Sequence, residues 1–95
     1  GLDFSMNPNL NTISISSTRI ESIDLSSAYA LNSVGIVYNP YLTHLNIKNN
    51  YNSNIIYQDF RNNSSLSCIQ VDNYQYSLIN WLNIDPNTYF SETCP

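Results

Sequence analysis

The chain predicts a mainly-β solenoid in which strand–turn units of about 10–11 residues lie alternately on two faces and a C-terminal cap with a short helix closes the stack. Three observations predict it. Apolar residues two apart recur as Leu2/Phe4, Ile13/Ile15, Ile23/Leu25, Val34/Ile36, Leu45/Ile47 and Ile69/Val71, and the first members step by 11, 10, 11 and 11 residues as far as Leu45. Most pairs carry another apolar residue three positions earlier: Leu10, Ile20, Leu31, Leu42 and Leu66. Turn formers separate the pairs, at Asn7-Pro8-Asn9, Asn39-Pro40, Asn49-Asn50 and Asn62-Asn63-Ser64-Ser65. Apolar–polar alternation over three or four residues signals a half-buried strand, and the punctuation marks its ends. Short strands at this interval also suit a sandwich, but a sandwich does not require the constant step, whereas a stack of equivalent units does.

The elements follow in order. Strands are expected around each pair, and placing successive pairs on opposite faces makes residues 21 to 24 apart neighbours at the inter-strand spacing of about 4.8 Å. One face then exposes Asp3, Asp24, Asn46 and Gln70 in a column beside Ser5, Ser26, Lys48 and Asp72. The other shows Ser14, Gly35 and Asp59 beside Ser16, Val37 and Arg61. The sixth position of each unit holds Asn7, Thr18, Ala28, Asn39, Asn50 and Asn63, where an amide can bond backbone groups that a turn leaves unpaired. The unit from Leu45 is two residues longer than its neighbours and is expected to bulge outward at 50–56, with the polar Gln58 where an apolar residue belongs. Leu78, Trp81 and Leu82 are spaced to share one face of a helix within 74–85 that Pro86 ends.

The phrase Leu31-x-x-Val34-x-Ile36-x-x-Asn39, repeated as Leu42-x-x-Leu45-x-Ile47-x-x-Asn50, resembles the consensus of bacterial leucine-rich-repeat proteins. The better match is to the short two-strand repeats of secreted Bacteroidetes proteins, with a coil of about 21–22 residues. The tail with Asn80-Trp81, Asn83-Ile84-Asp85 and Phe90-Ser91-Glu92-x-Cys94 is similar to the cap of those arrays. The resemblance implies about three coils over 1–71, a cap over 72–95, and a secreted or bacterial cell-surface location. Leu2 and Phe4 then fall in an end coil without an N-terminal cap, so further repeats are expected upstream.

Composition narrows the function. Lys plus Arg number three against seven Asp plus Glu, for a net charge of −4, and only 11% of residues are charged. Nucleic acid and anionic membranes need clustered cations, so neither is an expected partner. No apolar run approaches the roughly 18–20 residues of a membrane span. Cys68 and Cys94 lie 26 residues apart; a disulfide closing that loop contributes about 3 kcal/mol in the chain-entropy model and pins the cap, while a pair of free thiols in a reducing compartment is the alternative. With His44 the only histidine, the soft ligands are too few for a metal site. Asp3 above Asp24 reads as two solvated carboxylates before it reads as half of a calcium site. No activated nucleophile accompanies His44, and the two glycines exclude a phosphate loop. No enzyme and no cofactor are therefore expected.

Eight tyrosines are the excess. Tyr29 and Tyr51 fall in equivalent turns along one edge and Tyr38 and Tyr41 near the other, suited to protein or sugar contact or to packing over the turns. The candidate binding residues are Tyr29, Tyr38, Tyr41, Tyr51, Asp24, His44, Asn46 and Lys48. They imply a non-catalytic protein-binding or adhesion module with a protein or glycan ligand. The alternative is a carbohydrate-binding or spacer module of a larger secreted enzyme, with Tyr29 and Tyr51 holding the sugar. Asn62-Asn63-Ser64 and Asn63-Ser64-Ser65 fit the N-glycosylation pattern, as chance allows in an Asn- and Ser-rich chain.

Overall fold

Strands form where the apolar pairs stand. The computed structural model of the chain describes residues 2–95, and its strands are β1 (Leu2–Asp3), β2 (Thr12–Ser16), β3 (Ser22–Asp24), β4 (Ser33–Val37), β5 (His44–Asn46), β6 (Tyr57–Asp59), β7 (Cys68–Gln70) and β8 (Tyr89–Ser91). The first seven alternate between two parallel sheets, ordered β1-β3-β5-β7-β8 and β2-β4-β6. Parallel pairing follows from the alternation: each strand of one sheet is separated from the next by a strand of the other, so the chain returns in the same direction. In the larger sheet Leu2, Ile23, Leu45, Ile69 and Phe90 fall side by side. In the smaller, Ile13, Val34 and Gln58 do. The neighbours are 21 to 24 residues apart, as the spacing of the pairs requires.

One face of each strand makes the core. Ile23, Val34, Leu45 and Ile69 are buried with Leu25, Ile36, Ile47 and Val71 two residues on, and Leu31, Leu42 and Leu66 are buried three residues ahead. Burying a side chain of this size contributes about 1.5–3 kcal/mol. Leu2, Phe4, Leu10, Ile15 and Ile20, from the first elements of the chain, are only partly buried. At the other end Trp81 is 1% exposed and meets both Phe60 and Phe90, with ring centroids 5.8 and 5.9 Å away.

The helix differs from expectation. α1 (Tyr74–Asn80) starts at Asn73, whose side chain accepts hydrogen bonds from the Gln75 and Tyr76 amides. It buries Ser77 and presents the half-buried Tyr76 to the core, while Leu78 and Leu82 are 62% and 74% exposed. The helix ends before Leu82, so the expected Leu78–Leu82 face never forms. Trp81, just past the end, decides the facing, and the small Ser77 four residues earlier lets the helix approach. The Ser77 hydroxyl and Trp81 indole N–H are buried without a hydrogen-bond partner among the described residues, each a cost of about 1–3 kcal/mol. Burying some 150–250 Å² of indole at about 25 cal/mol/Å², worth about 4–6 kcal/mol, is of comparable size and offsets it. Strand β8 is a further departure, because no strand was expected after residue 85.

The asparagine column is also corrected. Asn39 and Asn63 are buried and hold the turns: Asn63 Nδ2 donates to the Ile36 and Phe60 carbonyls at 2.8 and 2.7 Å, and Asn39 Nδ2 to those of Ile15 and Val37 at 3.1 Å. Asn7 and Asn50 are exposed. Asn49, one residue earlier, takes the inward place and donates to the Ala28 carbonyl at 2.8 Å. The long unit does not simply bulge outward, because a 3-10 turn at Asn52–Asn54 turns Asn52 and Ile55 into the interior and leaves Ile56 exposed. Ile55 is thus the buried residue three positions before Gln58, and Gln58 Nε2 donates to its carbonyl at 3.0 Å.

Candidate functional site

The outer face of the five-stranded sheet carries two rows of side chains set by register. Ser22, His44, Cys68 and Tyr89 align in one row, and Asp24, Asn46, Gln70 and Ser91 in the next. Cys68 is therefore an outward position on a strand, and its disulfide to Cys94 draws the C-terminal tail back over the sheet. The tail has two more anchors: the Lys48 ammonium donates to the Glu92 carbonyl at 3.1 Å, and the Glu92 carboxylate accepts from the Tyr74 amide at 2.7 Å.

Beside the tail lies a groove of about 560 Å³ lined by Ser22, Asp24, Thr43, His44, Asn46, Ser65, Ser67, Gln70, the two cysteines and Pro95, with Ile23 and Leu45. A second depression of about 540 Å³, lined by Leu2, Arg19, Ile20 and Glu21, shares Ser22, Thr43 and His44 with it. The groove side chains are held from below. Asp24 Oδ1 accepts from the Ser26 amide and Asn46 Oδ1 from the Lys48 amide, both at 2.9 Å. Asp3 makes the same turn with Ser5 at 2.7 Å. These carboxylate and amide oxygens end strands before they do anything else. Nδ1 of His44 lies 2.9 Å from the Thr43 hydroxyl.

Four of the candidates, Asp24, His44, Asn46 and Lys48, thus come together at the groove or its tail. The tyrosines do not join them. Tyr29 and Tyr51 meet edge to face with centroids 6.1 Å apart. Tyr38 stands at a turn with φ 57°, and Tyr41 lines a cleft with Arg19 and Glu21, which also border the second depression but not the groove. Sequence reasoning missed the groove wall made by Cys94 and Pro95, along with Ser22 and Ser67. The available signal was that Cys68 falls in an outward column, so that any disulfide from it must cross the face.

On the three-stranded sheet Asp59 accepts hydrogen bonds from Arg61 Nε and Nη2 at 3.0 and 2.8 Å. The guanidinium hydrogen bond holds the Asp59 carboxyl below its ordinary 3.8 against a smaller opposing effect of burial, and the same bond raises Arg61. Arg61 is 54% exposed, so solvent screens the pair. Among the described residues no group of three or more His, Cys, Asp or Glu side chains is placed to hold a metal ion, and no helix is long and apolar enough to cross a membrane.

Fold and site together define a small, mainly-strand protein with two parallel sheets, one short helix and a disulfide that walls a surface groove. No model of a known protein family, no curated protein and no solved structure matches the chain.

Proposed function

We propose that the chain is a leucine-rich-repeat solenoid, about three coils over 1–71 with a cap over 72–95, serving as a non-catalytic protein-binding or adhesion module of a secreted or bacterial cell-surface protein. The alternation between two sheets and the shared phrase of residues 31–50 support the solenoid. The Cys68–Cys94 bond supports an oxidising compartment. The observation that carries the binding role is the groove of about 560 Å³ on the five-stranded sheet, where Asp24, His44 and Asn46 converge beside a tail anchored at three points. A rigid outer face with a fixed wall is a preorganised surface, which lowers the entropy cost of recognition.

The test is retention of the chain on immobilised protein and glycan arrays, set against a groove-filling Ser67→Trp variant of unchanged melting temperature. Binding that Ser67→Trp abolishes is expected. Absence of any ligand on both arrays, or binding that survives the filled groove, overturns the reading and leaves a spacer. The second reading, a carbohydrate-binding or spacer module of a larger secreted enzyme, is favoured by the polar and mostly uncharged lining of the groove.

A further inference from the structure

We infer that the groove recognises a neutral polyhydroxylated chain, a glycan, through the adjacent side chains of Asp24 and Asn46; the inference rests on the groove being the binding site. A backbone N–H can only donate, so the Ser26 and Lys48 amides settle which atom of each side chain faces the turn. It is an oxygen in both, at 2.9 Å. What remains to face a ligand is the second carboxylate oxygen of Asp24, an acceptor, and Nδ2 of Asn46, a donor. Among the described residues neither atom has another hydrogen-bond partner. The two residues are paired in register across β3 and β5, which sets them side by side at about 4.8 Å.

An acceptor next to a donor matches a hydroxyl, which donates and accepts through the same oxygen. One sugar hydroxyl satisfies both groups at once, donating to Asp24 and accepting from Asn46. An extended peptide is less well served. Its usual mode is to extend a sheet edge through backbone hydrogen bonds, and the groove floor is the face of the sheet rather than its edge. Gln70, Ser22 and Ser67 add uncharged donors and acceptors, and a net charge of −4 disfavours an anionic ligand. The second depression shares Ser22, Thr43 and His44 with the groove, so the two side by side offer room for a chain rather than a pocket for one sugar. Tyr29 and Tyr51 lie outside it.

The experiment is affinity electrophoresis through gels containing a mixed-linkage glucan, a xylan or a mannan, with polygalacturonate as the anionic control. The wild-type chain is expected to be retarded by at least one neutral polysaccharide and not by polygalacturonate. Asp24→Asn and Asn46→Asp each keep the oxygen that accepts the turn amide but put two donors or two acceptors side by side. Each is expected to weaken binding about tenfold, and the double exchange D24N/N46D, which restores an acceptor beside a donor in reversed order, to recover most of it. Tyr29→Ala is expected to bind as wild type. Singles that bind as wild type, or a double no better than the singles, overturn the inference. Retention on protein arrays alone, lost in Ser67→Trp, overturns the glycan assignment while leaving the binding module standing; retardation that persists in Ser67→Trp removes the groove itself.

Discussion

The chain crosses between its two sheets along two edges, and the edges solve the same problem differently. On the edge that follows β2, β4 and β6 the turns are alike: Ser17, Tyr38 and Asn62 sit at φ 58°, 57° and 65°, and Thr18, Asn39 and Asn63 follow them. The Thr18 amide donates to Asn39 Oδ1 and the Asn39 amide to Asn63 Oδ1, at 3.2 and 3.0 Å. Asp85 ends this ladder, its two oxygens accepting the Asn62 and Asn63 amides. The edge that follows β1, β3, β5 and β7 has no such ladder. The apolar Ala28 occupies one layer, and in the next Asn49 and Asn52 share the inward role across a 3-10 turn. Yet it closes in the same way, with Asp72 accepting the Asn50 and Asn52 amides at 2.9 Å. An inward amide repeated in constant register makes equal turns; where it slips by one residue, the turn needs extra residues to satisfy the same carbonyls.

The largest way to break this comparison is Asn63→Ala. It orphans the buried Asn39 amide and the Ile36 and Phe60 carbonyls together, for an expected loss of about 3–5 kcal/mol in urea unfolding. Asn49→Ala removes bonds to the Ala28 carbonyl, the Tyr51 amide and Asn52, but the exposed Tyr51 region can rehydrate, so the loss is about 2–3 kcal/mol. Equal losses would mean that the ladder adds nothing beyond its local bonds. Tyr38→Gly relieves a left-handed tyrosine and is expected to stabilise by up to about 1 kcal/mol, whereas Asn50→Gly, at φ 70°, changes stability less because asparagine tolerates that region.

The smallest effect is the pH dependence of Asp59, whose Oδ1 accepts the Arg61 amide just before the Asn62 turn. A carboxyl whose folded value is lowered contributes stability that is complete above its unfolded value and lost as pH falls through the folded one. Asp59→Asn should therefore lower the melting temperature at pH 7, and the difference should shrink as pH drops below 3.8. A difference that stays constant down to pH 2 would show that the guanidinium hydrogen bond does not matter.

Much of the architecture was present in the order of residues alone. The apolar pairs located six of the first seven strands, the exception being the one that holds the polar Gln58, and their steps dictated which residues become neighbours, because a strand alternates its faces and a constant step returns equivalent positions to one column. Asp24, His44, Asn46 and Lys48 could be assigned outward on that ground. What the tertiary structure decided was of another kind. Trp81 chose the buried side of the helix because its indole fits between Phe60 and Phe90, a contact with residues 21 positions earlier and 9 later that local periodicity does not encode. Asn49 displaced Asn50 because the Ala28 carbonyl, one layer away, needed a donor. The groove exists because a bond between Cys68 and Cys94 lays the tail across a face that the strands alone leave open. Periodicity specifies which side of the chain is wet; only contacts between distant residues specify what stands over it.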